Sequence, residues 1–379
     1  MKELRGITWT HERGFAPLKR LAELALLDGP LRVDAPPIVW EAQDLAGFES
    51  RSIAELAREY DLIVLDHPGL GRAWSAGALE PLQELSGLTP ADLEGRFVTG
   101  SLASYHYRGA QWAIPIDAAT QVSAWADCQP AATWAEVISR QDDRMALPTK
   151  SPHAMLTFLG IAAAVSPGFE MSAHELVPAR TGENAMEIFG NMVRSMPSAS
   201  LDMDPINILE KISDGQLDAC PLLYGYVTYA RPSSRKRIIT FANAPGTHSG
   251  APGCILGGTG LALSRHSANK EGALAHLRQI SSETAQQEVF GAAGGQPADA
   301  TVWGESSLDR ESNGFYSATL RSQSGSMVRP RYDGWIDFHH DASTFLLTSA
   351  RDNRRPPEVV ARLNKLHREA IQSSSSPVL

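Results

Sequence analysis

Cysteine is scarce in this chain. Cys128, Cys220 and Cys254 are odd in number, widely spaced and form no C-x-x-C pair. They supply no disulfide framework and leave the redox compartment open. Charge is modest as well. Charged residues make up 20% of the chain and the formal net charge is −9, so the basic face that nucleic-acid binding requires is missing. The one basic cluster, Arg231 with Arg235, Lys236 and Arg237, is a short loop that reads as solvated. No apolar run approaches the ~20 residues of a membrane span; Phe158–Val165 reads as a buried helix segment, so no direct membrane insertion is expected.

Catalytic signatures are missing too. There is no G-x-S-x-G elbow, no H-E-x-x-H, no P-loop and no complete dinucleotide fingerprint. Gly257, Gly258 and Gly260 lack the following helix start that a phosphate loop needs. His339, His340 and Asp341 are consecutive, and consecutive side chains rarely converge on one ion. The residues call for no cofactor, no metal and no catalytic group.

What is present is a chain of 379 residues, 43% of them hydrophobic, long enough to bury a large core and to form two domains. The first hundred residues alternate strand and helix. Leu4–Trp9, Pro37–Trp40 and Leu62–Leu65 read as strands, and Phe15–Leu27 and Ile53–Glu59 as helices. That β-α-β-α-β order predicts a parallel sheet covered on both faces. Tyr105–Ile116 reads as a hairpin-like pair around Arg108 and Gly109, followed by a strand over Gln121–Trp125. From about residue 131 to 220 the pattern turns mostly helical. Thr133 and Glu136 have the spacing of a capping box at the helix Trp134–Ser139. Met145–Pro148 reads as a short strand, Pro152–Ala164 as an apolar helix, and Asn269–Ser281 and Pro357–Ile371 as further helices. The helical middle predicts a second domain that interrupts the first.

The stretch Glu59–Gly71 carries the most information. A short buried strand ends in Asp66 and His67, then Pro68, Gly69 and Gly71. In open α/β sheets ligands sit at the carboxyl ends of strands, so an acid and an imidazole there are placed to meet one. A capped strand end, with Asp66 serving only the turn, is the simpler alternative.

Five ordered motifs extend this reading. They are Tyr60–Leu65, Gly77–Leu82, Gly109–Asp117, Ala132–Glu136, and Gly257–Leu263 with Ser267–Ala273. Together they resemble the extracellular solute-binding proteins of bacterial ABC transporters, in the large class that includes sugar-binding components. The resemblance implies an α/β fold of two lobes, the type II periplasmic-binding-protein arrangement, with a ligand cleft between them. It implies crossings near Pro115–Asp117, near Gly260–Leu263 and around Met327–Pro330. The expected first lobe is 1–116 with 262–326, and the second 117–261 with 327–379. The implied function is capture of a small polar solute, carbohydrate-like or a small organic acid, by a non-enzymatic monomer that delivers it to permease subunits. One departure is that Tyr224–Tyr226 stands where the family often has Gly-Pro-Trp.

On that fold the loops bring Trp9 and His11, Asp66 and His67, Asp117, His153, Tyr224 and Tyr226, Thr259, and Arg331 with Trp335 to the cleft as ligand-binding candidates. Trp9 and Trp335 read equally well as core aromatics, Arg331 as a surface ion pair, and Asp117 as a group that only holds the hinge. The N-terminus shows no signal-peptide core. The expectation is a periplasmic chain that starts after its leader, or a cytoplasmic one. In the second case the fold would serve as a sensor, or as an enzyme using Asp66, His67 and His153.

Overall fold

In the computed structural model the described residues are 2–82, 93, 95–232, 237–247, 253–304 and 307–374. Arg235 and Lys236 of the basic cluster lie outside them. The strands are β1 (Leu4–Trp9), β2 (Ile38–Gln43), β3 (Leu62–Leu65), a two-stranded ribbon of β4 (His106–Tyr107) and β5 (Ala110–Gln111), β6 (Ile114–Trp125), β7 (Ala219–Tyr224), β8 (Thr240–Ala242) and β9 (Leu256–Leu263).

All four residues of β3 are buried because its alternating side chains enter two cores. Leu62 and Val64 join Leu18, Leu21 and Trp40, whereas Ile63 and Leu65 join Leu56, Leu70 and Ala73. Helices therefore cover both faces, which is why the strand reads as an unbroken apolar run. β1, β2 and β3 are mutually parallel as expected. The sheet as a whole is mixed, because β9 pairs antiparallel with β3 and β6 antiparallel with β9.

Sequence order broke β6 into two strands, but it is one strand of 12 residues. Its first part, Ile114–Thr120, pairs with β9; its second part, Gln121–Trp125, pairs with β7, and Ser123–Trp125 also pairs with β8. Asp117 and Thr120, between the two expected pieces, are both buried and satisfied. Asp117 pairs with Arg13, and the Thr120 hydroxyl donates to the Ile255 carbonyl at 3.2 Å. The register shifts between Pro115 and Asp117. Opposite, Gly258 has φ +93°, and a Cβ there would lie 2.4 Å from the Asp117 carbonyl oxygen, so only glycine fits. Met145–Pro148 is not a strand; it makes one isolated bridge, Met145 to Ala219.

Around β7 and the end of β6 sits a helical layer. The helix His153–Val165 is buried at every position through Ala164 and packs on Ala179–Ser195 and Trp335–Arg351, with Pro356–Ser373 beyond. A helix apolar all round must be central. The helix Phe315–Gly325 closes over β6 and β8, with the Phe315 and Phe241 rings 5.1 Å apart, while its Tyr316 hydroxyl donates to the Gly295 carbonyl at 3.3 Å. No described helix is long and apolar enough to cross a membrane.

One close approach joins the two ends of the chain. A Cβ on Gly71 would lie 1.9 Å from the Arg331 carbonyl oxygen, so the helix Leu70–Ser75 sits directly on the 331–333 backbone. Gly71→Ala is expected to destabilise the protein by about 2 kcal/mol, on the scale of core overpacking, read as a lower urea midpoint at unchanged m-value.

Candidate ligand cavity

The carboxyl ends of β1, β2 and β3 and the N-terminus of the helix His153–Val165 converge on a cavity of about 120 Å³. Trp9, Phe48, Ile53 and Asp66 line it from the first part of the chain, and His153, Leu156 and Tyr224 from the helical part. Thr259 lines it from β9, Arg329 from the segment before Pro330, and Ile336 and His339 from the helix Trp335–Arg351.

Six sequence-selected residues come together in that lining: Trp9, Asp66, His153, Tyr224, Tyr226 and Thr259. The other five do not. Trp335 is fully buried in an aromatic cluster with Tyr332, Phe338 and His367; its neighbour Ile336 and, one turn on, His339 take the cavity side of that helix. Arg331 lies outside the lining, its Nη1 donating to the carbonyls of Ala103, Ser104 and His106 at 2.9–3.2 Å. Asp117 lies behind the lining and accepts from Arg13, with Nε at 2.9 Å. His11 caps the helix Glu12–Leu24, its Nδ1 accepting from the Arg13 N–H at 3.1 Å, and its ring packs edge-on against Tyr226 with centroids 4.8 Å apart. His67 is wholly buried under Asp66 and accepts the Arg329 N–H at Nε2, 3.2 Å.

Sequence reasoning passed over Arg13 and Arg329, the two residues that organise this floor. Both guanidinium groups are buried. Arg329 Nη2 reaches both oxygens of Asp66 at 2.7 Å, and its Nε donates to the Leu256 carbonyl at 3.1 Å. Arg13 holds Asp117 with two nitrogens and donates a third hydrogen bond to the Gly225 carbonyl at 2.9 Å. Its guanidinium carbon lies 4.8 Å from the Tyr226 ring centre, and that of Arg329 lies 5.9 Å from the Tyr224 ring centre. The available signal was chemical. Asp66 and Asp117 end or interrupt apolar strands, and a buried carboxylate needs a cation; an arginine stands beside each neighbouring candidate segment, two residues after His11 and immediately before Pro330.

These contacts set protonation. Burial alone pushes the Asp66 carboxyl up, but the Arg329 charge and the His67 side chain outweigh it and hold it well below the usual carboxylate range. Burial pushes His67 down to about 4, helped by the Arg329 charge and opposed by Asp66. His153 is likewise pushed down to about 4, chiefly by burial. His67 is therefore neutral, with Nε2 as its acceptor and the proton on Nδ1, which lies 3.2 Å from Asp66 Oδ1.

Two outcomes follow from this geometry. Below pH 6.5, the ordinary histidine value, the unfolded chain takes up protons that folded His67 and His153 refuse down to about pH 4. Stability is thus complete above pH 6.5 and falls between 6.5 and 4, each ring adding up to ~1.4 kcal/mol per pH unit. The Asp66 contribution persists through that window and is lost only on further acidification. Urea unfolding as a function of pH reads the slope directly. Trp335→Ala is expected to cost about 3–5 kcal/mol, as for a large buried ring, with ligand affinity of the folded fraction preserved in calorimetric titration.

No protein-family model matches the chain, and no curated protein matches it in sequence. Solved structures do match its shape. A solute-binding protein of an ABC transporter from Thermotoga lettingae, bound with α-D-tagatose, superposes with TM-score 0.80 at 13% identity, over 98% of this chain and all (100%) of that one. UgpB from Mycobacterium tuberculosis, in complex with glycerophosphocholine, gives 0.78 at 15%, over 98% and 99%. Maltose-bound MalE3 from T. maritima gives 0.76 at 15%, over 97% and 99%. Over almost its whole length, the chain has the two-lobe α/β fold of the ABC-transporter solute-binding proteins.

Proposed function

We propose that this protein is the substrate-binding component of an ABC importer, working outside the cytoplasmic membrane, that encloses a small polar solute between its lobes and presents it to permease subunits. The observation that carries the reading is the placement of the cavity. Its walls come from the ends of β1, β2 and β3, from the helix His153–Val165 and Tyr224, and from β9 and the segment around Arg329, which supports a molecule held between two lobes and favouring their closed form. The structural neighbours described above are themselves binding proteins crystallised with maltose, tagatose or a glycerophosphodiester.

Binding without turnover accounts for the state of the polar groups. Asp66 is the sole carboxylate among the described lining residues, and its oxygens are taken by Arg329. It serves as a fixed structural anion, not as a base waiting for a proton. A cavity of about 120 Å³ is comparable to engineered cavities that hold one small ring, which favours a compact solute over an oligosaccharide.

Ligand binding is expected to compact the molecule, because closure rotates the lobes about the crossings. Small-angle scattering with and without a ligand found by thermal shift checks this, and an unchanged radius of gyration overturns the clamshell reading. At a ligand concentration ~100 times Kd, the ligand should add about 2.7 kcal/mol to the unfolding free energy.

A further inference from the structure

Arg72 stands between two acids. Its Nη2 donates to Asp337, and its Nε lies 3.6 Å from Asp333 Oδ1. Gly334 separates those acids along the chain, with φ +104°, in the region that favours glycine. The segment before this glycine is tied to the first part of the chain. Arg329 holds Asp66, Arg331 donates to the carbonyls of Ala103, Ser104 and His106, and the 331–333 backbone lies against Gly71. The segment after it goes with the helical part, because the helix Trp335–Arg351 packs on His153–Val165 and Ala179–Ser195. Arg72 itself sits on the helix Leu70–Ser75, whose Leu70 and Ala73 share a core with Leu56, Ile63 and Leu65. Arg72 and Asp333 therefore belong to one side of Gly334, and Asp337 to the other.

The place of this contact matters as much as its partners. Among the described residues, Arg72 alone lines both the cavity and an outer groove of about 470 Å³ that Asp337, Phe338 and Glu369 border. The Arg72–Asp337 pair is thus part of the wall between the cavity and the outside. Neither acid lines the cavity itself. The Asp337 side chain is 70% exposed, so solvent screens the pair and limits it to a few-fold effect on an equilibrium. A rotation about Gly334 carries Asp337 away from Arg72 and leaves Asp333 beside it. The guanidinium then exchanges one acid for another and is unpaired in neither state.

We propose that Arg72 is a latch on the open–closed equilibrium, with Asp337 as its partner in the closed form and Asp333 as its partner in the open one. This rests on the receptor reading above and assigns the residues that set its conformational balance. Such an exchange keeps the two states close in free energy, so a small solute with modest differential affinity can shift them.

The balance can be read without a ligand. Cys128 is exposed, whereas Cys220 and Cys254 are buried, so a nitroxide reagent labels Cys128 on the far end of β6. A second label goes on Leu27→Cys, an exposed position just beyond the helix Glu12–Leu24. Pulsed electron paramagnetic resonance then gives the distribution of distances between the two parts. Asp337→Asn should raise the ratio of long to short distances about two- to fivefold, the range for loss of an exposed ion pair. Asp333→Asn should lower that ratio, because it removes the partner of the open form. In an Arg72→Gln background neither asparagine variant should have any further effect. Shifts of the same sign from Asp337→Asn and Asp333→Asn, shifts that persist in Arg72→Gln, or an unmoved distribution overturn the latch. Two distances that no variant moves leave the clamshell reading standing without it. A single distance in every variant, with a radius of gyration that a thermally stabilising compound does not change, overturns both.

Discussion

Desolvation of two arginines, Arg13 and Arg329, each paired with a carboxylate, is the constraint on which the centre of this molecule depends; Asp117 is fully buried with its partner, whereas Asp66 keeps 32% side-chain exposure. A lone arginine or aspartate in such a place is prohibitive, and a buried pair is tolerable only when its remaining donors and acceptors are also met. Asp66–Arg329 and Asp117–Arg13 meet that condition through backbone carbonyls of Leu256 and Gly225. Each pair therefore fixes three segments that are remote in sequence. The strand end after β3, the segment before Pro330 and the start of β9 form one knot; the first helix, β6 and the loop after β7 form the other. Removing one member would strand the opposite charge among apolar neighbours, so both pairs act as specifiers of geometry more than as sources of net stability.

The fold was legible in the sequence where local pattern and burial agree. The run Leu62–Leu65 declared itself a strand because both its faces are covered, and the helix His153–Val165 because nothing polar interrupts it after Thr157. β6 was read as two pieces; the polar residues between them, Asp117 and Thr120, are tolerated in its buried interior only through distant partners, Arg13 and the Ile255 carbonyl. The same blindness hid Arg13 and Arg329. A guanidinium is ordinarily a surface group, and its role is visible only once Asp66 and Asp117 are placed against it in space.

Aromatic residues show the other limit. Trp9 and Trp335 are both buried, yet Trp9 borders the cavity and Trp335 is walled off by Tyr332, Phe338 and His367. Nothing in residue type separates the two cases; the rotation of one helix decides it, turning Ile336 and His339 inward and Trp335 away. Tyr224 illustrates how the backbone settles such questions. Its ring lies flat enough against β9 that a Cβ on Gly257 would come within 2.7 Å of it, so a glycine in one strand sets the position of an aromatic in another.

The continuity of β6 also bears on how the chain is made. Ile114–Thr120 leaves the ribosome long before Leu256–Leu263, the strand against which it pairs. At ~5–20 residues per second the wait is on the order of ten seconds. Throughout it, a strand buried along its full length in the finished protein has an open edge and no cover. The parallel strands β1, β2 and β3 can associate during that interval, and Gln121–Trp125 can pair with β7 and β8 once they emerge, but Ile114–Thr120 keeps an open edge until β9 is made. A chain of this topology is thus exposed to strand-edge association for about a third of its synthesis, and its folding yield should depend on holdase chaperones to a degree that its native stability does not reveal.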